Sequence, residues 1–290
     1  ILFGAGVFLF SRNAEIKGKQ AGVLHFKRMF WLLLFGFVHA YFIWSGDILV
    51  AYAICGCFIF FLRKKSIRTL LVMSTLLFII PLTFNLMTYY GMTSDELEST
   101  FAFFHPNPEQ IATEIKTMQG SFNEQMTIRL KNAIEFQTFV FLIETFWLTT
   151  AMMLFGMILF RKGILSADKS ILYYKKMVLV GFVPGLILSI IGLNQAYDFE
   201  WSGTYVMNIG TNYKLISGFF MAIGYIGLVM WFFKKGIFKN LQRRLQATGR
   251  MAFTNYIGMS LICTLIFNGH GLGFFGTFDR LQQFLVVISV

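Results

Sequence analysis

Charged side chains are scarce in this sequence of 290 residues: they make up 13% of it, against about a quarter in a soluble domain. That shortage excludes an ordinary water-soluble globule. Cysteine is nearly missing as well. Cys55, Cys57 and Cys263 all lie in apolar runs and show neither a disulfide framework nor metal-ligand spacing. They read as small buried hydrophobes, and no metal site is expected. The sequence shows no zinc-protease or Ser-His-Asp spacing, internal repeat, low-complexity segment or signal peptide. Proline is limited to 4 residues. Pro81 and Pro184 fall in different apolar runs, without the pairing that marks transporters built on broken helices.

What the sequence has is apolar bulk. It is 56% hydrophobic, holds 36 Phe and has a mean hydropathy of +0.65. One soluble core cannot hide that much apolar surface, so lipid must be part of the solvent. Apolar runs at 29–44, 48–62, 69–91, 136–160, 177–197, 215–233 and 251–268 read as full or nearly full spans. Runs at 1–10 and from 281 onward read as partial ones, as if both ends stopped inside membrane segments. The runs lack the strict alternation of a barrel strand, and a backbone in lipid must pair its polar groups within the segment. The expected fold is all-α, a polytopic transmembrane helical bundle with seven full spans and two partial ones. It forms a single transmembrane domain over 1–290, truncated at both ends.

The net charge of +11 need not mean nucleic acid. Connections 11–28, 63–68, 161–176 and 234–250 hold about 20 of the 25 Lys and Arg residues, as the positive-inside rule requires of cytoplasmic loops. The alternate connections collect most of the acidic residues. The charge therefore reads as topology; the expected partners are the lipid bilayer and an unknown small-molecule substrate, and no nucleic acid.

Connection 92–135 is far longer than a hairpin needs. After Asn107-Pro108, a helix start, Ile111, Ile115, Met118, Phe122, Met126 and Leu130 recur at steps of three and four. An amphipathic helix is predicted in this extracytoplasmic loop, either resting on the membrane or covering an outward-facing site.

An ionisable residue inside a membrane helix is costly and marks a functional position. Glu144 lies about eight residues, roughly 12 Å, inside its span and should face the bundle interior. His39 lies about one helical turn below the outer surface. Asp47 follows across the short turn Ser45-Gly46 and is well placed to cap the next helix. In an antiparallel hairpin the two approach each other, and the carboxylate orients the imidazole. Asn85, Asn194, Gln195, Asn268 and His270 also fall near outer helix ends, completing a polar layer. On the inner side, Thr254 and Asn255 follow Gly249-Arg250 at a helix start, where an anion could be greeted. The run Gly269-His270-Gly271-Leu272-Gly273 imitates a phosphate loop, but no strand precedes it, and a tight turn is expected.

Several stretches have a familiar order. Leu2-Phe3-Gly4-Ala5-Gly6 precedes a basic loop ending in Lys27-Arg28, then Leu33-Leu34-Phe35-Gly36-Phe37-Val38-His39, then Gly46-Asp47-Ile48-Leu49 with Tyr52-Ala53 and Gly56. Leu154-Phe155-Gly156-Met157 with Arg161-Lys162-Gly163 follows, and later Gly249-Arg250-Met251-Ala252-Phe253-Thr254-Asn255-Tyr256 with Gly271-Leu272-Gly273. This order resembles the YeiB-like bacterial inner-membrane proteins, the domain of unknown function 418 family. The resemblance covers essentially the whole sequence and implies further helices at both ends. That family is distantly similar to membrane acyltransferases of the heparan-glucosaminide acetyltransferase type, which pass an acyl group from cytoplasmic acyl-CoA to an acceptor across the membrane. The resemblance thus implies acyl-CoA as donor, while the acyltransferases' own catalytic histidine belongs near an early helix and is not carried over onto His39. On that reading the residues themselves offer an outer-side base, His39 oriented by Asp47. Arg243, Arg244 and Arg250 would hold the CoA phosphates beside Asn255. The residues leave two other readings open: a transporter with a Glu144–His39 proton relay, and a scaffold whose outer loop binds a partner.

Overall fold

A chain in hydrocarbon must satisfy its own backbone, and the computed structural model does so with helices. It describes residues 1–93, 95–97, 99–100 and 106–290, and no strand occurs among the described residues. In chain order the helices are α1 (Leu2–Ile16), α2 (Ala21–Ile43), α3 (Leu49–Leu62), α4 (Ile67–Gly91), α5 (Pro108–Gln119), α6 (Phe122–Arg161), α7 (Ile171–Asp198), α8 (Gly203–Lys235), α9 (Lys239–Arg250), α10 (Ala252–Phe267) and α11 (Arg280–Ser289).

The protein is an all-helical, multi-pass membrane protein. Five of its helices (α2, α4, α6, α7 and α8) are long and apolar enough to cross a bilayer, and a sixth span results if α9 and α10 are counted together. Seven full spans were expected. The difference arises at α3, whose 14 residues reach about 21 Å where the hydrocarbon is about 30 Å thick, and at α10, which meets α9 at a 76° bend. Conversely, α6 runs for 40 residues, about 60 Å, and must project well beyond the hydrocarbon.

The predicted loop helix begins where expected. Asn107 caps α5 through a reciprocal capping box with Gln110, and Pro108 occupies the first turn. It does not continue to Leu130. A second capping box, Ser121 with Glu124, ends α5 and opens α6. The buried face of this first part of α6 is Gln125, Arg129 and Ala133, not the apolar stripe; Leu130 is exposed.

The helices form two compact units, each assembled from separate stretches. The first comprises residues 1–18, 58–105 and 147–243. Its α7 and α8 pack backbone to backbone: a Cβ on Gly181 would lie 2.2 Å from the Gly224 amide nitrogen, the close approach that membrane helices use in place of a hydrophobic drive. Polar ties accompany it. Ser74 donates to the Ala151 carbonyl at 2.8 Å, Asn85 to Asn212 Oδ1 at 2.9 Å, and Tyr205 to Gln195 Oε1 at 2.9 Å. On α7, Leu179, Val180, Leu186, Ile187 and Ile190 are exposed, as a lipid-facing surface should be.

The second unit comprises residues 19–57, 106–146 and 244–290. Its α2 and α3 form an antiparallel hairpin in which a Cβ on Gly36 would lie 2.7 Å from the Val50 nitrogen. The glycine-rich stretch after α10 is a turn. Gly273 and Gly276 take positive φ, and the Gly269 N–H donates to the Met118 carbonyl at the end of α5. The expected polar layer is therefore divided, with Asn85, Asn194 and Gln195 in the first unit and His39, Asp47, Glu144, Asn268 and His270 in the second.

Candidate active site

The α2–α3 hairpin builds the site. From His39 to Ile43 the helix widens into a π-helical turn, so that the His39 carbonyl accepts from the Trp44 N–H at 2.8 Å. Single π turns of this kind recur at functional positions because they re-aim side chains. Close packing at Gly36 then holds the two helix ends together across Ser45-Gly46.

His39 and Asp47 meet there, with Nδ1 2.8 Å from Oδ2. His39 is 0% exposed and Asp47 1%. The other carboxylate oxygen, Oδ1, accepts the Val50 N–H at 2.9 Å and caps α3. Asp47 is thus both the helix cap and the histidine's partner. An ionised carboxylate only accepts, so the shared proton sits on Nδ1, and in the neutral imidazole Nε2 is then the acceptor. That Nε2 is buried and has no hydrogen-bond partner. A buried polar atom left bare in this way calls for an explanation, and a catalytic role is one of them.

Tyr256, on α10, closes the group. Its ring lies 4.9 Å from that of His39, its hydroxyl accepts from the Ile48 N–H at 3.3 Å, and it reaches Asp47 Oδ2 at 3.5 Å. Trp44 meets the imidazole edge-on at 6.2 Å. Both rings line a cavity of about 940 Å³ whose walls all belong to the second unit. One face of α10 (Tyr256, Met259, Ser260, Cys263, Thr264 and Phe267) forms one side of it, at the spacing of a helical stripe. Met118 of α5 and Arg129 of α6 belong to the same wall.

Arg129 is 5% exposed. It donates to the Phe42 carbonyl at 2.6 Å and to Gln125 Oε1 at 3.3 Å. The same Gln125 oxygen accepts from His270 Nδ1 at 3.0 Å. Burial, followed by the Arg129 charge, holds the His270 imidazole below its ordinary pKa.

The other expected site residues do not converge on this group. Glu144 lies in a ten-residue π-helical stretch of α6, half-buried, with no hydrogen bond or ion pair among the described residues. It is thus only partly turned inward, and the relay expected between it and His39 has no direct contact. Arg243 belongs to the first unit and Arg244, Arg250 and Asn255 to the second. The three arginines are exposed. The Asn255 amide donates across the α9–α10 bend to the Thr248 carbonyl at 3.3 Å, which ties up the group expected to greet an anion. Tyr256, Arg129 and Gln125 were not singled out from sequence as functional. The capping box at Ser121 was the one local signal that α6 begins early enough to bring the latter two inward.

Residues 159–290 match the family described as "Protein of unknown function (DUF418)". The chain is 28% identical over 308 residues to "Uncharacterized protein YxaH" of Bacillus subtilis, an alignment that takes in 100% of this chain and 70% of that protein. It is 28% identical over 265 residues to "Uncharacterized protein YeiB" of Escherichia coli, covering 91% of this chain and 67% of YeiB. A shorter match, 36% identical over 69 residues, joins it to "Uncharacterized 39.9 kDa protein in amylase 3'region" of Bacillus acidopullulyticus, with 23% of this chain and 20% of that protein covered. No solved structure matches, and none of the three relatives carries an acyltransferase or transporter name. Residues 159–290 thus match the DUF418 family, and the chain is similar over most of its length to the uncharacterised proteins YxaH and YeiB.

Proposed function

We propose that this protein is a membrane acyltransferase in which His39, oriented by Asp47, is the general base. The observation that carries the reading is the bare, buried Nε2 of an imidazole whose Nδ1 is held by a carboxylate at 2.8 Å. Nε2 takes the proton of an acceptor hydroxyl or amine as that atom attacks the thioester carbonyl of an acyl-CoA. The C–S bond breaks, and the departing thiolate recovers the proton from Nε2. The ring is fully covered, so an acceptor reaches it when Trp44 or Tyr256, which touch it and line the cavity, rotates. The proposal includes the bacterial inner membrane as location, with the basic loops cytoplasmic and Asp47 at the opposite end. Exposed Arg244 and Arg250, of the same unit as His39, would meet the CoA phosphates from the cytoplasmic side, so the reading requires the pantetheine arm to thread between the helices and bring the thioester to His39; neither arginine forms an ion pair among the described residues. Purified full chain in proteoliposomes, given radiolabelled acetyl-CoA, should transfer label to lipid, sugar or water, and His39→Gln, which keeps a hydrogen-bond donor for Asp47, should abolish the transfer in a protein that still melts cooperatively. No transfer at saturating acetyl-CoA removes the reading.

One observation favours a second function. Glu144 is an ionisable residue in an irregular, half-buried stretch of a membrane helix, which fits a proton-coupled carrier. On that reading Glu144→Gln abolishes proton-linked flux in proteoliposomes and His39→Ala leaves it intact.

A further inference from the structure

Arg129 is a buried cation on the cavity wall, and Glu114, the acidic side chain that also lines the cavity, is exposed and forms no ion pair with it. A guanidinium carries five N–H donors, and among the described residues two are used, both on neutral oxygens. No carboxylate of the described residues forms an ion pair with it. A buried charge left in that condition is costly unless something in the cavity completes it. Gln125, 0% exposed and held in turn by His270 and the Gly120 carbonyl, fixes the guanidinium in place.

The rest of the cavity is of a different kind. Beyond Arg129 its walls are mainly aromatic and aliphatic: Ile128, Met259, Phe267, Phe274, Phe278 and Val286. Its volume of about 940 Å³ lies at the upper end of the range for small-molecule sites, about 300–1,000 Å³. One helix, α11, walls it with Gln283, Val286 and Val290, while Leu281, Phe284, Leu285 and Ile288 of the same helix are exposed and suit lipid. The cavity thus combines a fixed cation with a long apolar wall.

We propose that this cavity binds a single-chain amphiphile, its carboxylate or phosphate head on Arg129 and its acyl chain along α10 and α11. A planar guanidinium with free donors matches either head in a forked, charge-assisted contact. The site does not depend on His39 acting as a base, and binding should survive His39→Ala.

The test is equilibrium binding to the full chain in zwitterionic phosphatidylcholine nanodiscs, with empty nanodiscs as background. Radiolabelled dodecanoate and a lysophosphatidic acid of the same chain length distinguish the two heads; dodecanol and inorganic phosphate isolate chain and charge. Saturable binding of one or both anionic amphiphiles is expected, weakened about tenfold or more by Arg129→Gln and partly restored by Arg129→Lys. If Arg129→Gln lowers the melting temperature, Thr264→Trp serves instead. It blocks the chain without touching the guanidinium and should abolish binding equally. The proposal is overturned if neither amphiphile binds above background, if dodecanol binds as well as dodecanoate, or if inorganic phosphate competes as strongly as the lysophospholipid.

Discussion

The hydroxyl of Tyr256 lies 3.5 Å from Oδ2 of Asp47, across 209 residues of sequence. At that distance the contact is weak, but the same hydroxyl also accepts the Ile48 N–H. The tyrosine therefore joins α10 to the first turn of α3 and covers the imidazole. Tyr256→Phe should leave the ring packing intact and remove that bond, which is exposed, at a cost of about 0.5–1 kcal/mol. The unfolding midpoint in detergent measures it, and an unchanged midpoint would show that the bond from Ile48 adds nothing.

Asp47 permits its two roles to be separated. Asparagine caps helices about as well as aspartate, so Asp47→Asn should keep α3 and the fold while removing the charge that holds His39 in one tautomer. Acyl transfer should fall by roughly 10²-fold or more with a stability change under about 1 kcal/mol. Asp47→Ala should lose the cap as well and melt lower than Asp47→Asn. Equal melting of the two variants would deny the cap, and transfer undiminished in both would deny the orienting role.

How much of this was legible in the sequence depends on how far apart the partners lie. His39 and Asp47 are eight residues apart on a hairpin whose turn is evident from Ser45-Gly46, so their meeting follows from local structure. The start of α5 at Asn107-Pro108 was equally local. Tyr256 stood inside a recognisable stretch, yet nothing near it says that it packs on His39; only tertiary folding does. Arg129 was hidden for a different reason. Gln125, Arg129 and Ala133 form a helical stripe of their own, but a polar stripe beside an apolar one is ordinarily taken for the solvated face. Here the helix lies against membrane segments and the usual assignment inverts, because lipid accepts Leu130 and does not accept a guanidinium. The expected count of seven spans is not confirmed at α3 and α10, because apolar composition does not reveal helix length.

Gly36 couples packing to the dyad. Any Cβ there meets the Val50 backbone at 2.7 Å, and neither helix can yield without parting the ends that carry His39 and Asp47. Gly36→Ala should cost about 1–3 kcal/mol through overpacking and reduce transfer with it. Gly258→Ala, on α10 with nothing within 4 Å of the new Cβ, should be neutral or stabilise by up to about 1 kcal/mol. Thermal melts of the pair give the comparison; similar behaviour of the two would mean that the hairpin is not close-packed at Gly36.

His270 makes stability depend on pH in a definite direction. Burial and Arg129 place its folded pKa below the ordinary 6.5, so between those two values the unfolded chain holds more protons than the folded one. Stability contributed at this position is complete above about pH 6.5 and is lost as pH falls toward the folded pKa. Nδ1 already donates to Gln125, so the incoming proton goes to Nε2 and adds a second positive charge near Arg129. The melting temperature should drop between about pH 7 and pH 5, and His270→Gln should flatten that part of the profile. A bound anionic head on Arg129 opposes the effect by neutralising the first charge and bringing the folded pKa of His270 back toward 6.5, so dodecanoate should make the drop smaller. A profile unchanged by both the substitution and the ligand would place His270 outside the field of Arg129 and detach the turn at 269–276 from the cavity.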